Sequence, residues 1–201
     1  MGVQTDVQVK FIADENAADP DRLVTAARPN TSATMATTTF LGGGARNVTV
    51  TTTGTGDNGK TCTITGTDVF GDAMTEVITS TGSAEAVAGA KLFLTVSAVE
   101  CSAQYAANIT VGSGSLCASA VAGGGRTRLK GYSIVSAGTA GLVDFFNGTP
   151  DSGTIIFKAQ TIGTDNSTVD NTIPDEGVLF KDGLSVKYTV ATVLLANVFF
   201  A

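Results

Sequence analysis

Residues 60–80 read Lys60-Thr61-Cys62-Thr63-Ile64-Thr65-Gly66-Thr67-Asp68-Val69-Phe70-Gly71-Asp72-Ala73-Met74-Thr75-Glu76-Val77-Ile78-Thr79-Ser80. In the first part Cys62 and Ile64 alternate with threonines, so one face is apolar and the other forms hydrogen bonds. A period of two marks a strand half-buried in an antiparallel sheet. Asp68-Val69-Phe70-Gly71-Asp72 supplies residues that enter tight turns at low cost. Alternation resumes after it, and the stretch reads as a hairpin.

The same grammar extends in both directions. Strands are expected at 47–53, 60–67, 73–80, 91–98 and 107–111, and again at 129–136, 141–146, 154–160, 167–173, 178–180, 185–190 and 192–199. Gly, Asn and Asp turns separate them at about the 8–12-residue spacing of a sandwich or barrel. Asp57-Asn58-Gly59 and Asn147-Gly148-Thr149-Pro150-Asp151-Ser152-Gly153 are turn signals, and Pro174 forbids a central strand position. Helical period is confined to 19–27, where Pro20 would open a short helix after an Asp19 cap. The expected fold is all-β, an antiparallel β-sandwich, Ig-like or jelly-roll-like. Gly42-Gly43-Gly44 and Gly123-Gly124-Gly125 divide the chain into an arm (1–41), a sandwich module (42–125) and a C-terminal β module (126–201).

In the arm, Val3, Val7, Val9 and Phe11 fall on one face of an extended segment. A polar stretch follows, then the low-complexity run Thr31-Ser32-Ala33-Thr34-Met35-Ala36-Thr37-Thr38-Thr39, which alone has little core to bury and should be mobile. The last segment, Val193-Leu194-Leu195-Ala196-Asn197-Val198-Phe199-Phe200-Ala201, carries no charged side chain, so it is either a buried strand or an interface strand.

Composition narrows the function classes. Charged residues make up 15% of the chain, against about 25% in an ordinary soluble domain. Thr, Ser, Asn and Gly supply the surface instead, which suits faces covered by copies of the chain or by neighbours. A net charge of −6 argues against nucleic acid, whose phosphates need clustered cations. The densest cationic run, Arg126-Thr127-Arg128-Leu129-Lys130, is either the exposed start of a strand or a contact to an acidic partner. The first residues lack the basic and apolar pattern of a signal peptide, and no apolar stretch has the length of a membrane span, so no membrane partner is expected. The Asn-X-Ser/Thr triplets at Asn47, Asn108, Asn147 and Asn166 then reflect composition rather than glycosylation.

Histidine is absent, which rules out a Ser-His-Asp triad, a Cys-His pair and any histidine metal site. Cys62, Cys101 and Cys117 match no zinc spacing. Reduced, buried thiols are the simplest account, with a Cys101–Cys117 disulfide left open. Asp68 with Asp72, or Asp175 with Glu176, could pair as glycosidase carboxylates, but both pairs sit at turns that want Asp on conformational grounds. Asp57, Asn58, Asp68 and Asp72 could offer oxygens to calcium, yet the EF-hand pattern is missing. The glycine runs lack the Gly-Lys-Ser/Thr ending of a phosphate loop. No catalytic residue, cofactor or metal is expected; the chain reads as non-enzymatic.

Two passages carry a resemblance. Asn47-Val48-Thr49-Val50-Thr51 followed by residues 63–79, with Phe93-Leu94-Thr95-Val96-Ser97-Ala98-Val99 and Ala107-Asn108-Ile109-Thr110-Val111-Gly112, resembles a module of tailed-bacteriophage virion proteins. Arg128-Leu129-Lys130-Gly131-Tyr132-Ser133-Ile134-Val135, onward to Gly177-Val178-Leu179-Phe180, resembles another small β module of phage particles. The arm lies outside both. The resemblance implies a virion structural protein assembled in the bacterial cytoplasm. The leading expectation is a capsid decoration or cement protein, a homotrimer that bridges and stabilises major capsid subunits. Val3, Val7, Val9, Phe11, Phe199 and Phe200 would form its interfaces. The alternatives are a head-fibre or tail adhesin, contacting the host through 147–152 with Tyr132 or Tyr188 as anchors, and a tail or neck subunit.

Overall fold

The computed structural model describes residues 7–13 and 17–201. The fold is all-β with several antiparallel sheets, of the β-sandwich type. The strands are β1 (Gln8–Ile12), β2 (Val24–Ala27), β3 (Ala45–Thr52), β4 (Thr61–Thr67), β5 (Ala73–Thr79), β6 (Val87–Phe93), β7 (Thr95–Cys101) and β8 (Ile109–Ala122). They continue with β9 (Thr127–Ser136), β10 (Leu142–Asn147), β11 (Thr154–Gln160), β12 (Thr168–Thr172), β13 (Val178–Phe180), β14 (Leu184–Thr189) and β15 (Val193–Phe200).

The chain forms two compact units, one comprising 17–116 and the other 1–16 with 117–201. These limits differ from the expected 41/42 and 125/126. The glycine runs mark turns: Gly124 and Gly125 take positive φ between β8 and β9. The unit limit falls instead inside β8, an unbroken 14-residue strand. Nor do residues 1–41 form one arm: β1 joins one unit, and residues 17–41 belong to the other.

In the unit of 17–116, β4 lies between β5 and β7 in one layer, and β3 pairs with β6 in the other. The alternation seen in 61–65 is realised: Cys62 and Ile64 are fully buried and the threonines half-exposed. They meet Val48, Val50, Phe93, Val96, Val99, Ile109 and Val111 in one core, each large side chain contributing about 1.5–3 kcal/mol on full burial. The expected strand 91–98 is two strands, interrupted at Leu94.

The helix expected at 19–27 does not form. Leu23 and Val24 are fully buried, and the Leu23 N–H bonds to Val111 O at 2.8 Å. Ser113 N–H donates to Asp19 O at 2.7 Å, and the Asp19 N–H donates to Ser113 Oγ at 2.9 Å. Burial and pairing against β8 outweigh a weak local helix preference. The run 31–39 is likewise pinned, along the free side of β7, by Cys101 N–H to Thr31 O (2.6 Å), Ala33 N–H to Val99 O (2.9 Å) and Val96 N–H to Thr38 O (2.9 Å). Ala33 and Met35 pack on the core from there.

In the other unit the order β1-β15-β9-β12 makes one sheet, with β13 also on β9. β11, β10 and β14 lie side by side in a second sheet. Ile134, Val198, Phe145, Val186, Tyr188 and Ile12 are among the core residues. Tyr132, Phe145 and Phe157 form a ring cluster with centroids 5.7–5.9 Å apart, separations typical of favourable aromatic pairs.

Candidate interface on the outer strands

The candidate residues lie on the outer end of the β1-β15-β9-β12 sheet. β1 pairs antiparallel with β15, so that Val9 faces Phe199 and Phe11 faces Asn197. The two-residue period of a strand sends Val7, Val9 and Phe11 to one side and Ile12 to the other. Ile12 enters the core at 3% exposure, whereas Val7, Val9 and Phe11 remain 55–57% exposed and Phe199 37%. Phe200 is half-buried and packs against the core, on the opposite side from Phe199. Val3 lies outside the described residues. The structure therefore brings Val7, Val9, Phe11 and Phe199 into one stripe and turns Phe200 away from it.

Beside the stripe runs a groove of about 300 Å³ lined by Val7, Lys130, Gly131, Thr172 and Phe199. Its floor follows from register: Phe199 faces Gly131, which faces Thr172. Gly131 has no side chain to fill the gap, and a Cβ there would sit 2.6 Å from Asn171 O. β1 ends the strand order, and among the described residues no strand pairs its outer side. An unpaired edge of this kind is a template for another strand.

The cationic run is mostly engaged within its own unit. Arg128 Nη2 lies 2.8 Å from Glu176 Oε2, its Nη1 donates to Glu176 O at 3.4 Å, and Lys130 Nζ donates to Asp175 O at 3.1 Å. The run is the start of β9, tied to the turn before β13. Tyr132 and Tyr188, named as adhesin anchors, are only 7% and 3% exposed; both are core residues, so they cannot anchor a ligand in this conformation. The loop after β10 is organised from within, since Asn147 Oδ1 accepts from the Lys181 and Asp182 N–H groups and its amide donates to Asp182 Oδ2 at 2.6 Å.

The candidate carboxylates are held as turn residues. Asp68 Oδ1 accepts from Phe70 N–H (2.8 Å) and Asp72 N–H (3.0 Å), and Glu176 pairs with Arg128. Asp57 is fully buried and accepts from Thr52 Oγ1, Lys60 Nζ, Ala106 N–H and Ala107 N–H at 2.6–3.1 Å. Burial alone would raise its pKa, but these donors, the Lys60 ammonium foremost, hold the carboxyl well below its ordinary value. Among the described residues no group of three or more Cys, Asp and Glu is placed to hold a metal.

One cluster escaped the sequence reading. Cys62 Sγ lies 3.8 Å from Cys101 Sγ and 3.2 Å from the Tyr105 hydroxyl, which is itself 2.8 Å from Ser80 Oγ. Cys101 stands opposite Cys62 because β7 runs on to residue 101, beyond its expected end at 98. No family model, curated protein or solved structure matches this chain.

Proposed function

We propose that this protein is a non-enzymatic structural subunit that assembles through the outer face and free edge of β1. In the setting the resemblance implies, it is a capsid decoration or cement protein of a phage particle. It self-associates, with a trimer as the expected form, and bridges major capsid subunits. The observation that carries this reading is the stripe of Val7, Val9, Phe11 and Phe199, apolar and exposed beside an edge of β1 that no strand among the described residues pairs. Burying such a stripe gives about 25 cal/mol per Å² of apolar surface. Strand addition at the edge supplies main-chain hydrogen bonds along with it.

Light scattering on the full chain, set against a Val9→Lys/Phe11→Glu double variant, tests the reading. The expected result is an oligomer for the natural sequence and a folded monomer for the variant, with binding to expanded phage heads lost in parallel. A natural-sequence monomer that binds no particle would overturn it. If that monomer adhered to host cells, the adhesin reading would take its place.

A further inference from the structure

Cys62 and Cys101 stand directly opposite each other on β4 and β7. The Cys101 N–H is committed to Thr31 O on the far side of β7, and the bond to β4 is made one residue later, from Ser102 N–H to Thr61 O at 3.0 Å. The two cysteines are therefore a non-hydrogen-bonded pair, the kind whose Cα atoms approach to about 4.5 Å. That separation lies inside the span of a disulfide, and the sulfurs need only close from 3.8 Å to about 2.0 Å. Cys62 is fully buried, whereas Cys101 is half-exposed at the end of its strand. Cys101 is thus the more accessible residue of the pair.

We propose that Cys62 and Cys101 form a thiol–disulfide exchange site that takes a small disulfide such as oxidised glutathione and closes to a cross-strand bond. Cys101 is the entry sulfur. Its thiolate attacks one glutathione sulfur, the glutathione S–S bond breaks, and one glutathione leaves as a thiolate that takes up a proton. The Cys62 thiolate then attacks Cys101 Sγ, forming the Cys62–Cys101 bond and expelling the second glutathione. Two protein thiols are oxidised, one glutathione disulfide is reduced to two thiols, and the two protein protons end on those thiols.

The surroundings favour the second step over the first. In the resting pair, the bond to the Cys101 thiol lowers the Cys62 pKa, burial opposes this, and the Tyr105 hydroxyl assists. Cys101 is pushed up by its bond to Cys62, by burial and by the charge on Cys62. Cys101 therefore gives up its own proton to solvent before the first step, and the departing glutathione thiolate takes one up. Once Cys101 carries glutathione, Tyr105 remains to hold the Cys62 thiolate, itself steadied by Ser80. Tyr105 is a positioning residue for the second step.

The test incubates the full chain with oxidised glutathione, traps free thiols by alkylation, and maps the peptides. The expected product joins the Cys62 and Cys101 peptides, with Cys117 alkylated only after denaturation. Cys62→Ser should stop at a glutathione adduct on Cys101, and Cys101→Ser should take up none at Cys62. Tyr105→Phe should resolve the adduct about tenfold more slowly, the worth of one hydrogen bond to a charged group. The thermal midpoint of the oxidised natural sequence should rise and return with dithiothreitol, because the bond closes a long loop. Three alkylatable thiols after incubation, a persistent Cys101 adduct in the natural sequence, or a linkage involving Cys117 would each overturn the proposal. The natural sequence alone decides these outcomes, so a poorly folding variant does not blunt the test.

Discussion

The Lys60 ammonium lies 2.8 Å from Oδ1 of Asp57, a carboxylate with no solvent exposure. This ion pair closes a knot in which the end of β3, the start of β4 and the segment entering β8 meet on one side chain. Removing the carboxylate leaves the Ala106 and Ala107 N–H groups without their acceptor, at about 1–3 kcal/mol for each buried donor left unsatisfied. The expected outcome for Asp57→Ala is a lower denaturant midpoint at unchanged slope, measured by urea titration at neutral pH.

The same residue sets an acid dependence. Its folded pKa is depressed below its ordinary 3.8, so the native state binds its proton less readily than the unfolded chain does. The stabilisation is complete above about pH 4–5 and drains away as pH falls towards the folded value. The stability gap between the natural sequence and Asp57→Asn should therefore be flat from neutral pH to about pH 5 and shrink below it. Urea midpoints collected across that range for both proteins check the sign.

Val9 and Ile12 occupy one strand yet answer to different demands. Ile12→Ala should cost about 2–4 kcal/mol, because it hollows a packed core. Val9→Ser should change monomer stability by less than about 0.5 kcal/mol, as exposed substitutions do, while weakening self-association. Denaturation curves paired with light scattering separate the two effects.

Asn47 heads an Asn-Val-Thr triplet, but its side chain is 3% exposed. Its amide donates to Gly89 O at 3.2 Å and its Oδ1 accepts from Leu116 N–H at 3.0 Å. Expressed in a glycosylating host, the folded protein should keep Asn47 unmodified on peptide mapping. Asn47→Asp should destabilise by about 1–3 kcal/mol or more, since a carboxylate oxygen would face the Gly89 carbonyl and leave it without a donor.

Ring packing gives a final check. Phe145 has no solvent exposure and touches Tyr132 and Phe157. Phe145→Ala should cost about 3–5 kcal/mol, read as a lowered thermal midpoint.

Strands with clean alternation were legible in sequence, as 61–65 illustrates, because a half-buried strand writes both of its environments into every second residue. Crossings between layers were not. Alternation runs through Leu94 without a glycine or proline, although Phe93 ends a strand of one sheet and Thr95 begins a strand of another. β8 runs to Ala122, well past its expected end at Val111, through Gly112 and Gly114. They are glycines because a Cβ at 112 would meet the backbone at Asp19 and Pro20, and one at 114 the Asn47 side chain. The exposed face of β1 was readable as a run of odd-numbered apolar residues. Which phenylalanine of the 199–200 pair shares that face depended on its register with β15, a long-range fact that no local pattern carries.

The pairing of β1 with β15 also imposes a schedule on synthesis. Gln8 is paired in register with Phe200, so on the ribosome β1 waits for β15, made about 190 residues later, before its sheet can close. At about 5–20 residues per second, that wait lasts roughly 10–40 s. Until β15 arrives, Val9 has no Phe199 opposite it and the stripe does not exist as a surface. Nascent chains on neighbouring ribosomes therefore cannot join through it, and competence to assemble arrives only once β15 has been made.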